Sequence, residues 1–239
     1  NIMHEKLIKY TNDVYLTFLK EISHKATLMA MLNHNPKCAM LVNSKHYTYE
    51  AIPFPFIDYA FYGFIPLKVH DVANRQYKIH RNIINEAETY FEKIRDIDTL
   101  CDLDLDTFNR FKLDMDNEIM IRYTEHIFYE HTRINALVDT LKDADMDWFE
   151  EFIKESQTSL KDLFDVSYDD INFLVDTTMA NGAITARSIN KDRWKGVFTV
   201  FKKPLDKVAK DSFMARFYML HNASLEIILV KPNTHNHNL

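Results

Sequence analysis

Three cationic side chains, Lys191, Arg193 and Lys195, fall within five residues of the run Asn190-Lys191-Asp192-Arg193-Trp194-Lys195. Such a cluster can attract an anion by charge. A phosphate cradle also needs backbone N–H groups that approach closely, which glycine permits and bulkier residues obstruct. This run holds a Trp and an acid instead, so a solvent-exposed basic turn between a helix and a strand is the favoured reading. A second cluster is acidic, with Asp at positions 96, 98, 102, 104 and 106. Calcium would suit it, but the 12-residue loop pattern with central Gly and terminal Glu is missing. A solvated, helix-capping segment is therefore expected. Glu130 and Arg133 stand three apart, as in a surface ion pair along one helix. His235 and His237 read as a frayed terminus rather than a metal site. Cys38 and Cys101 lack C-x-x-C spacing and read as buried free thiols of a reducing compartment.

The elements that must carry these groups follow from periodicity. Leu7, Tyr10, Val14, Phe18 and Ile22 recur at helical spacing, predicting one helix over residues 3–32. Asn33 to Pro36 breaks it. Strands are expected at 38–43, 46–53 and 58–67, and a helix from 72 to about 94. The acidic connector from 96 to 113 holds a short helix at 104–112. Long helices follow at 117–143 and 147–164, and another starts at Asp169, where Asp169 and Asp170 favour the helix dipole. A strand at 196–201, a helix at 208–219 and a strand at 225–230 complete an interleaved α+β pattern.

Composition narrows the class. With 239 residues, 46% of them hydrophobic and 27% charged, the chain can bury a sizeable core. Its net charge of −6 argues against a nucleic-acid-binding module. No apolar run approaches the ~20 residues of a membrane span, and no signal peptide leads the chain, so a cytoplasmic protein without a membrane partner is expected. Only three glycines occur, leaving few places for positive φ. The first residue is Asn1 rather than Met, which reads as a fragment or a chain lacking its first residues.

Several motifs, in order and nearly gap-free, resemble the galactokinase family of the GHMP kinases (galactokinase, homoserine, mevalonate and phosphomevalonate kinases) over about residues 18–231. Tyr49-Glu50-Ala-Ile-Pro53 matches Y-E-x-x-P, and 68–73 resembles V-K-H-S-L-A. Tyr77 to Arg81 matches Y-N-x-R-R. His126, Glu130 and Arg133 match H-x-x-x-E-x-x-R, and Glu155 to Ser167 resembles E-S-H-x-S-L-R-D-D-Y-E-V-S. The resemblance implies a GHMP-kinase-like C-terminal domain at 56–239, with a remnant of the N-terminal domain at 1–55. The sheet is expected to be mixed or antiparallel and packed with helices.

A galactokinase moves the γ-phosphoryl of ATP to the anomeric hydroxyl of galactose, using a phosphate loop, an acid and polar sugar ligands. The family's acidic residue falls on Thr27, whose neutral hydroxyl is a poor proton acceptor. His24 or Lys25 as a substitute base is a minor alternative. The family's loop G-A-R-M-T-G-A-G-F-G-G-C falls on 185–196, where Ala186 and Arg187 are kept and glycines become Asn190, Asp192, Trp194 and Lys195. Tyr77 matches a tyrosine that contacts the sugar in the family, although a core tyrosine is equally consistent. The family's R-x-N-L-I-G-E-H-T-D-Y and P-x-G-x-G-L-S-S-S-A segments have no counterpart here. The expectation is therefore a galactokinase-like protein without catalysis, cofactor or metal. The alternatives are a sugar kinase using ATP and Mg, completed by a missing N-terminal half, and a sugar or nucleotide sensor or protein-interaction module. A truncated half-fold would expose an apolar face suited to homo-oligomerisation.

Overall fold

A computed structural model describes residues 2–14, 17–18, 25–33, 35, 37–67, 73–166, 168–191 and 194–230. Contacts divide the chain into two compact units, one of Asn1–Ile57 with Leu141–Ala144 and Pro232–Leu239, the other of Asp58–Thr140 and Asp145–Lys231. The first contains α1 (Ile2–Val14), α2 (Lys25–Leu32) and a hairpin of β1 (Cys38–Asn43) and β2 (Thr48–Pro53). The strands pair antiparallel from Cys38↔Pro53 to Asn43↔Thr48. Asn43 shapes the turn, its Oδ1 accepting from the Lys45 and His46 amides, each at 3.1 Å. The Tyr47 ring carries the ammonium groups of Lys9 and Lys25 at 5.3 and 5.1 Å.

In the second unit β3 (Ala60–Pro66) is central to a four-stranded antiparallel sheet of order β4-β5-β3-β6, formed with β4 (Ala183–Lys191), β5 (Trp194–Phe201) and β6 (Leu225–Val230). Tyr62 and Phe64 of β3 join Val197, Phe213 and Phe217 in one hydrophobic core. The buried Tyr62 hydroxyl is satisfied by accepting from the Leu205 amide at 2.8 Å. A second core, around Phe91, Phe108 and Phe128, joins α3 (Ala73–Glu92), α4 (Leu105–Phe111) and α5 (Glu118–Asp143). α6 (Met146–Asp162) and α7 (Asp169–Ala180) both pack on β4, while α8 (Lys207–His221) packs on β6. Asp104, Asp145 and Asp206 accept from backbone amides at the starts of α4, α6 and α8. Asp102 accepts from the Asp98 and Thr99 amides, so two of the clustered carboxylates act as caps.

The α+β class and the antiparallel sheet agree with expectation. Two elements differ. The helix expected over 3–32 is seen as α1 and α2, with 17–18 in π-helical conformation; residues 15–16 and 19–24 lie outside the described residues. The stretch before residue 196 is no turn between a helix and a strand: β4 runs through it and pairs with β5. In β4, Ala186 enters the core while Thr185 and Arg187 bond to the helices behind the sheet. A strand whose second buried face is polar lacks the apolar alternation by which strands are read. Among the described residues no helix is long and apolar enough to cross a membrane.

Candidate functional site

The β4–β5 hairpin holds the basic run of residues 190–195. The register continues to its tip, Ile189↔Gly196, Asn190↔Lys195 and Lys191↔Trp194. The backbone N–H groups there belong to a strand ladder rather than to a concave nest. Asp192 and Arg193 lie outside the described residues, as do the side chains of Asn190, Lys191 and Trp194. Lys195 is not the exposed base expected of a surface turn. It is 5% exposed, and its Nζ lies 3.6 Å from the Tyr168 ring centroid. Burial lowers its pKa to about 8, against the opposing pull of Asp170.

Glycine is used here for packing. A Cβ on Gly196 would stand 2.6 Å from Ile65 Cδ1 and 2.7 Å from the Phe64 carbonyl oxygen, so the residue lets β5 and β3 approach. Gly182 follows α7 with φ of 93°, a conformation that suits glycine.

At the root of the hairpin lies a polar network. Glu130 Oε1 accepts from Arg133 Nε at 2.8 Å, and its Oε2 accepts from Ser156 Oγ at 2.8 Å and from Arg187 Nη2 at 3.2 Å. Arg187 Nε donates to Ser156 Oγ at 2.6 Å, and the Ser188 amide donates to Gln157 Oε1 at 2.7 Å. The three charged side chains are only 17%, 13% and 29% exposed for Glu130, Arg133 and Arg187. Burial alone would raise the Glu130 pKa, but the Ser156 hydroxyl and the two guanidinium groups outweigh it and hold it below the ordinary value. The expected surface pair of Glu130 and Arg133 is thus a half-buried cluster tying α5 and α6 to β4. The wider depression alongside, about 430 Å³, sets Arg133 and Lys154 against Glu151, Glu155 and Asp162, a balance that does not favour an anion.

Behind this network His126 Nδ1 lies 2.8 Å from Ser159 Oγ, and its ring stacks on Phe164 at 4.5 Å. His80 of α3 meets Phe164 and Tyr123, each at 4.9 Å. Burial lowers both imidazoles, His126 to about 4.

Thr27 is half-buried on α2, one residue pair from the buried Met29, and belongs to the first unit. Tyr77 lies on α3 in the second unit; its side chain, like all of His24, falls outside the described residues. What the structure does bring together are residues of the matched motifs: His126, Glu130, Arg133, Ser156, Ser159 and Arg187. The available signal was that all six coincide with motif positions, on three segments that must meet. Among the described residues no group of three or more His, Cys, Asp or Glu is placed to hold a metal ion.

No protein-family model matches the chain. By sequence it is similar to a galactokinase of Limosilactobacillus reuteri, 25% identical over 181 residues, 71% of this chain and 46% of that protein. A Clostridium tetani galactokinase is 27% identical over 153 residues, 63% of this chain and 39% of its own length. The chain thus spans about half the length of the curated relatives it matches. Among solved structures, Lactococcus lactis galactokinase complexed with galactose superposes with a TM-score of 0.85 at 16% identity, over 95% of this chain and 59% of that one. Homoserine kinase from Cytophaga hutchinsonii gives a TM-score of 0.50 at 10% identity, over 95% and 57%.

Proposed function

We infer that this chain, which belongs to the galactokinase family of the GHMP kinases, keeps a scaffold of that family and does not itself transfer phosphate. The observation that carries this reading is the strand pairing of Asn190 with Lys195 and of Lys191 with Trp194, where the family's glycine loop would fall. A ladder directs successive N–H groups to alternate sides, whereas phosphate binding wants several converging on one point. Lys195, the one cation of the run whose side chain is described, is turned into the protein beside Tyr168. Thr27 at the acid position supports the same reading, since a hydroxyl neither takes up the proton of a sugar hydroxyl nor offsets a cation.

The deciding assay is galactose-dependent release of ADP from Mg-ATP by the intact chain. Background turnover is expected. Galactose-dependent turnover that Thr27→Ala abolishes would sink the proposal.

A second reading is favoured by one fact, the span of about half a relative's length. In it the chain is one part of a complete sugar kinase that uses ATP and Mg, with galactose as the sugar class that the relatives' names indicate. The intact mass of the natural product, with the reading frame upstream of Asn1, separates the two: a product carrying R-x-N-L-I-G-E-H-T-D-Y supports the kinase. A sensor that binds sugar without turnover would show a thermal shift with millimolar galactose, since ligand bound to the native state raises stability by mass action.

A further inference from the structure

We propose that His126 and His80, on either side of Phe164, form an acid-sensitive latch that holds the α6–α7 connection closed at neutral pH and releases it on acidification. The geometry is a closed cluster. His126 of α5 stacks on Phe164 at 4.5 Å, and His80 of α3 meets the same ring at 4.9 Å. Tyr123 of α5 closes the group, 4.9 Å from both His80 and Phe164. Both imidazoles are buried, 6% and 9% exposed for His126 and His80. Phe164 sits just beyond α6, its amide donating to the Ser159 carbonyl at 3.2 Å, and Asp165 beside it has φ of 56°. The chain there turns in the left-handed region, which a non-glycine residue holds only with support from its surroundings.

The charges around the cluster decide its response. His126 faces Ser159 of α6, Arg187 of β4, Glu130 and Arg133 of its own helix, and His80 of α3. Glu130 is the one carboxylate in that set, and Arg133 and Arg187 already share it. A proton on His126 would add a third cation beside Arg133 and Arg187, in a setting that also desolvates it; the second carboxylate, Glu155, lies 3.9 Å from Arg133 and is half-exposed, so water screens it. His80 faces Lys195 of β5 and Asp165 of the connection. Asp165 partly offsets a charge on His80, so His126 is the trigger and His80 the follower.

The sign follows from linkage. The unfolded imidazole titrates near 6.5 and the folded His126 near 4, so stability is complete above pH 6.5 and falls as pH drops toward 4. For that shift alone the ratio of folded to unfolded protein drops about 20-fold from pH 7 to pH 5.

The test compares wild type with His126→Asn, which keeps a neutral hydrogen-bonding atom near Nδ1, in urea titrations at pH 7 and pH 5. Wild type should lose about 20-fold more than the variant over that interval. Parallel losses overturn the latch. Should the variant fail to fold, proton NMR of the wild-type histidines reads the same property. A His126 resonance that titrates only below pH 5, together with loss of the aromatic near-UV signal, supports the latch. Titration near pH 6.5 with the fold intact refutes it.

Discussion

Replacing Glu130 by Gln keeps its shape and removes its charge, leaving Arg133 and Arg187 facing each other without a shared anion. Glu130 and Arg133 are 17% and 13% exposed and Arg187 is 29% exposed, so water relieves the two cations only in part. Removing one partner of a fully buried pair costs about 3–5 kcal/mol, and the partial exposure of Arg187 places this case at about 3 kcal/mol. Arg187→Met is milder, because Glu130 retains Arg133 Nε and Ser156 Oγ at 2.8 Å each; a loss of about 1–2 kcal/mol is expected, as for a charge-assisted hydrogen bond. The double variant should be less destabilised than the sum of the singles by about 1 kcal/mol, since it removes one charge of each sign. Urea unfolding followed by far-UV circular dichroism at pH 7 measures all three. The Glu130 contribution is present above its unfolded pKa and disappears as pH falls through the lower folded value, so Glu130→Gln and wild type should converge in acid. A Glu130→Gln cost under about 0.5 kcal/mol, the level of an exposed helical pair, would refute the network as a structural tie.

Two further substitutions test the hairpin. Gly196→Ala forces a Cβ to 2.7 Å from the Phe64 carbonyl oxygen and should cost more than about 2 kcal/mol by thermal unfolding, whereas Gly63→Ala, with its nearest neighbour at 3.7 Å, should cost less than half as much. Lys195→Met removes a buried ammonium whose pKa is lowered to about 8. The protonated form is penalised by folding, so wild type should gain about 2 kcal/mol relative to the variant between pH 8 and pH 10 in chemical unfolding, and a constant gap would count against burial of Lys195.

Periodicity made most elements legible. β1, β2, β6 and the long helices were readable because their apolar residues follow period 2 or 3.6 without interior Gly or Pro, and the start of α4 was marked by Asp104 as a cap. The stripe Leu7, Tyr10, Val14 and Phe18 showed that a helix exists but not where it ends. These residues are 47%, 67%, 51% and 76% exposed, so burial within the chain does not fix their continuity. β4 was hidden because Arg187 and Thr185 face a polar network instead of a hydrophobic layer. The network itself was half legible: Glu130 and Arg133 are neighbours by helical spacing, but Arg187 comes 57 residues later, and no local rule brings it to the same carboxylate.

Under the proposed function, the paired hairpin and the network belong to one structural solution. A loop that cradles phosphate holds its backbone away from regular pairing, and its N–H groups are satisfied only when the ligand arrives. The hairpin commits that backbone to regular pairing within the chain, from Ile189↔Gly196 to Lys191↔Trp194. In that ladder a side chain at 195 must face one side of the sheet or the other, and Lys195 turns inward onto Tyr168. The same geometry aims Arg187 at Glu130 and Ser156, which fasten the root of the hairpin to α5 and α6. Glycine placed at 195 alone would therefore remove strand propensity and the contact with Tyr168 while leaving the ladder on both sides of it. Stability would fall without a phosphate cradle being regained, because the backbone conformation is set by the paired register of the whole hairpin and not by any one residue in it.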